Sequence, residues 1–421
     1  MTLIKTSLLT AISTVITVIS GLIINKFVAI YIGPGGLATI GNFQNFIQII
    51  KTIGSGSTQT AIVKYTAEYK HNNLKLVKLL SSAFYILCVI YLVVFISTLL
   101  LGEPLAFWIF GDVEFVSIIY IFSATSGLFF LNQFFLSIFN GLKEIKTYVL
   151  LNIFTSIISL IIIVILIYYM KLYGALLALA INQSIIFFVT LFFVWKSKSI
   201  QLYMFLNGFD KKSFKRLSGF IAMALASGIS VPLTQMILRD YIGDSISWEA
   251  AGYWEAMWRI SAVYLLLVTT SLSVYYIPKL SELNSQEELR NEIFYGYKII
   301  MPIVIIAAIS IYISQDLIIS LLFTDEFMPM KTLFFYMLLG DVIKVAAWLL
   351  SNIMLAKAMI RTFILTELLF KVPFLFFTIF LSNIYGLEGV AMGYFINYIF
   401  YFLVMLYIFK DLLLNAKMKF R

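Results

Sequence analysis

Cysteine and histidine are almost absent from this chain of 421 residues: Cys88 and His71 are the only ones. A lone cysteine forbids an intrachain disulfide. One cysteine and one histidine cannot assemble the ligand set of a zinc or copper site, so no metal and no cofactor is expected. Charge is scarce as well. Asp, Glu, Lys and Arg make up 12% of the residues, against about a quarter in a soluble domain. With 62% hydrophobic residues and a mean hydropathy of +0.98, the apolar surface exceeds what a globule of this size hides. No nucleotide motif and no nucleophile–base arrangement is visible. The "GSGS" at 54–57 lacks the Lys-Ser/Thr ending of a phosphate loop and reads as a close-packing or locally unwound segment. Nothing in the chain supports an enzyme.

What the chain has instead is long apolar runs. They lack the roughly 10-residue alternation of an outer-membrane barrel and approach the roughly 20 residues that cross a bilayer as helix. The reading is an all-α integral membrane protein with twelve spans: 8–31, 37–62, 77–101, 115–140, 147–170, 174–195, 217–241, 250–278, 293–315, 331–356, 362–384 and 387–410. The first run, Ser7 to Ile32, is too long for the apolar region of a signal peptide and is expected to be retained. A basic segment at about 196–216 divides the chain into two six-helix lobes, 1–200 and 201–421, although no sequence repeat is evident. Basic residues decide orientation. Most of the 30 lysines and arginines fall in alternate loops, such as Lys64, Lys70, Lys75 and Lys78, or Lys196 to Arg216. The opposite loops hold only Lys171 and Lys331 among acids such as Glu103, Asp112, Asp244, Asp316, Asp325 and Glu326. Both termini are therefore expected in the cytoplasm. The formal charge of +9 reflects this topology; the basic residues form no single patch of the kind that binds nucleic acid.

Six basic residues lie within spans: Lys26, Lys51, Arg239, Arg259, Lys344 and Lys371. Three acids lie with them: Glu255, Asp341 and Glu367. Glu255 and Arg259 are spaced i,i+4, Asp341 and Lys344 i,i+3, and Glu367 and Lys371 i,i+4, so each pair shares a helix face. Lys26, Lys51 and Arg239 have no acid at those spacings, and Asp240 points away from Arg239. Snorkelling to the headgroups competes with a functional reading for Lys26 and Arg239, near span ends. Lys51, Lys344 and Lys371 sit near span centres, where a charge is costly and marks a wet interior. The surplus of three positive charges attracts anions and repels small cations. Asn25, Asn42, Gln44 and Gln48 add a hydrogen-bonding lining, with Gln44, Gln48 and Lys51 on one face of the second span. Such a stripe ending in a cation suits a sugar joined to a phosphate; helix–helix hydrogen bonding is the plainer alternative. Pro232, Pro302 and Pro373 are expected to kink their helices. The "YIGPGG" at 31–36 reads as a tight external turn, and Trp254 and Trp258 as part of an aromatic belt.

Several stretches carry a resemblance: "GLIINKFVAIYIGPGGLATIGNF" within 7–43, "VKYTAEY" at 63–69, "AGYWEAMWRISAVYL" at 251–265, "SLSVYYIPKLSEL" at 271–283 and "GDVIKVAAWLLSNIMLAKA" at 340–358. "RTFILTELLF" at 361–370 and "GLEGVAMGYFINYIFYF" at 386–402 continue it. The chain resembles, along its whole length, the lipid-linked oligosaccharide flippases in the polysaccharide-exporter branch of the multidrug/oligosaccharidyl-lipid/polysaccharide exporter superfamily. It is most similar to the Wzx-type O-antigen and enterobacterial common antigen (lipid III) flippases. The resemblance implies an inner-membrane protein with two six-helix lobes around a central cationic cavity, which moves an undecaprenyl-diphosphate-linked oligosaccharide to the periplasmic leaflet by alternating access. Lys26 and the Asp341/Lys344 pair fall in matching stretches. It also implies the polysaccharide polymerase and chain-length regulator of the same pathway as partners, and leaves H⁺ and Na⁺ coupling open. The alternatives are a cation-coupled multidrug antiporter of the same superfamily, which needs an acidic pocket, and a polysaccharide polymerase, which needs a large external loop.

Overall fold

Apolar runs of this length in lipid must satisfy their backbone internally, and the helix is the form that does so. The computed structural model of the chain describes residues 3–414 except 71, 198, 199, 284 and 358; His71, Lys198, Lys417, Lys419 and Arg421 lie outside the described residues. Among the described residues there is no strand. Helices follow one another as α1 (Leu3–Tyr31), α2 (Gly33–Lys51), a π-helical turn (Thr52–Gly56), α3 (Ser57–Tyr69), α4 (Asn73–Leu100), α5 (Gly102–Phe110), a 3₁₀ turn (Val113–Phe115), α6 (Val116–Gly141) and α7 (Ile145–Lys196). A 3₁₀ turn (Leu202–Phe205) leads to α8 (Lys211–Ser245), α9 (Trp248–Ser271), a second π-helical turn (Leu272–Tyr276) and α10 (Ile277–Glu282). Then come α11 (Gln286–Ile313), α12 (Gln315–Leu322), a 3₁₀ turn (Asp325–Met330), α13 (Lys331–Ala356), α14 (Ile360–Leu369), α15 (Lys371–Tyr385), α16 (Leu387–Ile408) and α17 (Lys410–Leu413).

The order repeats, although the sequence shows no repeat by eye. A helix broken by a π turn, a 28-residue helix, a short helix, a 3₁₀ turn and a 26-residue helix occur once in each half. The correspondence reaches single residues. Lys171, inside α7, has φ 49 and ψ −126, and Gly386, between α15 and α16, has φ 60 and ψ −137. Three residues beyond each, Gly174 and Gly389 press on a carbonyl of the helical segment before the reversal, where a Cβ would lie 2.0 and 2.1 Å from the oxygens of Leu166 and Leu381. At 1.5 Å per residue, the 52 residues of α7 are more than twice as long as a bilayer core is thick, so the reversal at Lys171 makes two crossings of it.

Each span read from the sequence falls on helix, and eight helical stretches among the described residues are long and apolar enough to cross a membrane. The segments after the third and ninth spans contain α5 and α12. "YIGPGG" is a tight turn: α2 begins at Gly33, whose φ of +79 makes the bend in one step. Pro232 and Pro302 lie inside α8 and α11, but Pro373 lies in the first turn of α15, after a break at Phe370 that already relieves its missing N–H.

The chain packs as two compact units, one of residues 1–32 and 39–236 and one of 33–38 and 237–421. The boundary between these compact units falls within α8. The basic segment at 196–216 is fastened to the first unit: Ile200, Met204 and Phe205 are buried, and Ser81 Oγ lies 2.7 Å from the Gly208 carbonyl. The early part of α8 follows it, with Thr52 Oγ1 donating to the Gly228 carbonyl at 3.3 Å. In the second unit α13 is the central helix. Its apolar residues Leu349, Leu350, Ile353 and Met354 are buried with Tyr276, Leu289, Ile293, Met405 and Phe409.

Candidate functional site

Three groups of charge lie in the second unit. In the first, Arg239 of α8, only 1% exposed, donates to one carboxylate oxygen of Glu255 on α9. Arg259 donates from Nε to the other oxygen at 2.7 Å. One carboxylate thus bridges two guanidiniums and leaves a net positive charge. The i,i+4 spacing of Glu255 and Arg259 is realised as a contact. The second partner, Arg239, comes from another helix and was invisible to local spacing.

In the second group Asp341 is 0% exposed and accepts three hydroxyl hydrogen bonds. Ser261 Oγ and Tyr264 OH (2.6 Å) donate to Oδ2, and Tyr394 OH donates to Oδ1 at 2.6 Å. The i,i+3 pair itself is stretched, with Lys344 Nζ 3.8 Å from Asp341 Oδ1. Tyr394 OH lies between the charges, accepting from Lys344 Nζ at 3.1 Å while it donates to Asp341. The Lys344 ammonium is enclosed by four rings, with centroids at 5.0 Å (Trp348), 5.1 Å (Trp258), 5.4 Å (Tyr398) and 5.6 Å (Tyr394). Cation–π attraction of this kind contributes about 0.5–2 kcal/mol per favourable ring, part of the offset to taking an ammonium out of water. The local sequence permits the arrangement: Gly340 precedes the Asp, and a Cβ there would meet the Tyr394 ring at 2.5 Å.

In the third group Lys371 Nζ lies 3.0 Å from Glu367 Oε1, both half-buried, and the pair spans the break between α14 and α15. An aromatic wall connects the first two groups. Trp254 packs on Trp258 and Tyr394 at 6.0 Å, and Tyr394 on Tyr398 at 4.7 Å. Trp254 is fully buried and Trp258 faces the Lys344 ammonium, so neither belongs to an interfacial belt. Together the three groups hold four cations and three acids, one positive charge in excess. Buried ion pairs stabilise a fold little, so their retention points to a use beyond stability.

In the first unit the predicted residues lie on two helices. Asn25 and Lys26 of α1 are half-buried; on α2, Asn42 is buried, Gln44 and Lys51 are half-buried, and Gln48 is exposed. Asn25, Lys26, Asn42, Gln44 and Lys51 each engage a neighbouring group. Lys51 is the last residue before the π-helical turn Thr52–Gly56, within which the "GSGS" segment begins. Among the described residues no cluster of three or more metal-ligating side chains occurs.

The sequence reading missed Ser261, Tyr264, Trp348, Tyr394 and Tyr398. A signal for part of this set was present: Tyr394, Tyr398 and Tyr401 recur at i, i+4 and i+7, one face of α16.

The model of a family described as "Polysaccharide biosynthesis protein" matches residues 3–284. The chain belongs to this family. A protein named "Lipid III flippase" from Escherichia coli (strain K12) is 27% identical over 407 residues, 96% of this chain and 97% of the relative. Its namesake in Shigella flexneri matches to the same extent. Among solved structures, an inward-facing multidrug resistance MATE family transporter of the MOP superfamily superposes with a TM-score of 0.81 at 15% identity, covering 95% of this chain and 96% of that one. The lipid II flippase MurJ, in an inward closed conformation, gives 0.69 at 17% identity over 98% and 90% of the two chains. At these identities the two structures establish the fold alone.

Proposed function

We propose that this chain is a flippase that moves an undecaprenyl-diphosphate-linked oligosaccharide from the cytoplasmic to the periplasmic leaflet of the bacterial inner membrane. It acts as a transporter and not as an enzyme. Similarity to lipid III flippases over nearly the whole of both chains carries the reading. The cation excess supports it, because a diphosphate is an anion that guanidinium and ammonium groups hold well in a low-dielectric site. The arrangement proposed with it is twelve spans in two six-helix lobes, 1–200 and 201–421, with both termini cytoplasmic and alternating access as the means of transfer. The polymerase and chain-length regulator of the pathway are the proposed partners.

Within this reading Arg239, Arg259, Lys344 and Lys371, with Lys26 and Lys51, contact the diphosphate and acidic sugars, while Asn25, Asn42, Gln44 and Gln48 bond to hydroxyls. Asp341 holds the Lys344 site together, since three hydroxyls already satisfy its carboxylate. Glu367, half-buried, is the acid best placed to exchange a proton or Na⁺. A drug-antiporter reading has less support: Glu255, Asp341 and Glu367 are all engaged by cations or hydroxyls, so none of the three offers a lipophilic cation an unpaired carboxylate.

Transfer of a labelled polyprenyl-diphosphate oligosaccharide across proteoliposomes, with and without an imposed ΔpH, tests the proposal. Lys344→Ala should abolish surface polysaccharide in cells while the protein still inserts at normal levels. Wild-type polysaccharide in that variant would remove Lys344 from the mechanism.

A further inference from the structure

The segment joining α7 to α8 has a use that transport does not require. It is held rigidly on its inner side. The Phe205 ring packs on Phe84, Phe134 and Phe135 at 6.0, 5.6 and 5.7 Å. Ser81 Oγ reaches the Gly208 carbonyl at 2.7 Å, and Asn73 Nδ2 donates to Tyr203 OH at 3.1 Å. Asp210 is fixed through both its backbone and its side chain. Its N–H donates to Ser82 Oγ at 2.9 Å, and its carboxylate accepts from the Ser213 N–H at 2.8 Å.

The outer side is of opposite character. Leu206 and Phe209 are 66% and 52% exposed, Phe214 packs on Phe209 and is also exposed, and Trp195 at the end of α7 is 85% exposed. A flexible tether would have no need to hold large apolar side chains outward. Lysines surround them. Lys196, Lys211 and Lys212 are exposed on the same stretch, and Lys75 and Lys78 are exposed at the start of α4. Lys78 stands one turn before Ser82, whose Oγ accepts from the Asp210 N–H, so it shares the face of α4 that meets Asp210, with Lys211 and Lys212 next in the chain. Asp210 offsets one of these charges, and the remainder is positive.

Apolar rings beside ammonium groups at the end of a membrane helix match the boundary between acyl chains and anionic headgroups. We infer that the platform formed by residues 200–214 and the start of α4 is a seat for an anionic phospholipid. The phosphate lies among Lys78, Lys211 and Lys212, and the chains lie against Leu206 and Phe209. The inference requires a membrane protein and is independent of what the chain transports.

Native mass spectrometry of the full chain in detergent, titrated with phosphatidylglycerol or phosphatidylcholine, reads the preference directly. Wild type should bind phosphatidylglycerol more tightly, and the ratio should shrink with added salt because the attraction is screened. In the triple variant Lys78→Gln, Lys211→Gln, Lys212→Gln the ratio should fall roughly tenfold or more, given three basic residues near one headgroup. Its thermal stability in lipid-free detergent should stay at the wild-type value. Leu206→Asn with Phe209→Asn should weaken both lipids alike and leave the ratio in place. An unchanged ratio in the triple variant overturns the inference. So does an unchanged ratio accompanied by loss of a co-purifying protein, which would make the platform a protein-docking surface.

Discussion

Replacing Tyr394 by Phe removes one oxygen atom and keeps the ring. The four-ring enclosure of Lys344 should therefore survive, and only the hydroxyl between Lys344 and Asp341 is lost. That hydroxyl makes two charge-assisted bonds, 2.6 Å to Asp341 and 3.1 Å from Lys344. Hydrogen bonds to charged groups contribute about 1.5–3 kcal/mol each. The loss is not their sum, because Asp341 keeps the Ser261 and Tyr264 donors and Lys344, at 3.8 Å, can close onto the freed oxygen. A net destabilisation of about 2 kcal/mol is expected, which lowers the melting temperature in detergent by a few degrees. Function should suffer as well. Once Lys344 closes onto Asp341 as a direct pair, the cation is less available to an incoming diphosphate, and flipping in proteoliposomes should drop about tenfold, a change equal to about 1.4 kcal/mol in the rate-limiting step. Tyr398→Phe is the control, since the Tyr398 ring lines the enclosure without bonding to Asp341. A Tyr394→Phe protein with wild-type melting temperature and flipping rate would refute the bridging role.

Four other outcomes follow from particular residues. Lys171 holds the backbone conformation that Gly386 supplies in the other half, one that a side chain adopts only at a cost of roughly 1–3 kcal/mol, so Lys171→Gly should raise thermal stability by about 1 kcal/mol after the entropy of the new glycine is counted. Gly340→Ala should push the Tyr394 ring off Asp341 and reproduce the Tyr394→Phe defect with a larger stability loss, measured by the same two assays. Asp210 carries a pKa below the usual carboxylate value, chiefly through its bonds with Ser213. Its stabilisation of the α8 start is therefore complete at neutral pH and is lost as pH falls below the unfolded value through the lower folded one; hydrogen exchange at 211–214 should rise over that window, and Asp210→Ala should remove the pH dependence. Glu367→Gln should weaken the response of transport to an imposed ΔpH while leaving the protein stable, whereas an unchanged ΔpH response would exclude Glu367 from coupling.

The all-helical, apolar character of the chain was legible because hydropathy and helix length are local properties, summed over about 20 neighbours. The contacts Glu255–Arg259 and Glu367–Lys371 were legible for the same reason, since i,i+4 neighbours meet on any helix. The Asp341–Lys344 spacing was equally visible, but its chemistry was not. The hydroxyls that hold Asp341 come from α9 and α16, far away in the chain, and no spacing rule reaches them. Arg239 gained its partner in the same way, from another helix. The repeat of helix order escaped the sequence because geometry, not residue identity, is what repeats: a glycine serves at one reversal and a strained lysine at the other.

The sequence by itself determined that this chain lives in a membrane as helices and that its apolar runs carry more basic than acidic residues, because composition, hydropathy and charge count need no knowledge of contacts. Only the tertiary structure decided what Asp341 and Lys344 are to each other. A carboxylate buried in a low-dielectric interior is governed by the donors packed around it, and those donors are gathered by the packing of helices. The pair that reads along the chain as a cation with its counter-ion is, in three dimensions, a lysine in an aromatic enclosure and an aspartate held by three hydroxyls, with Tyr394 between them.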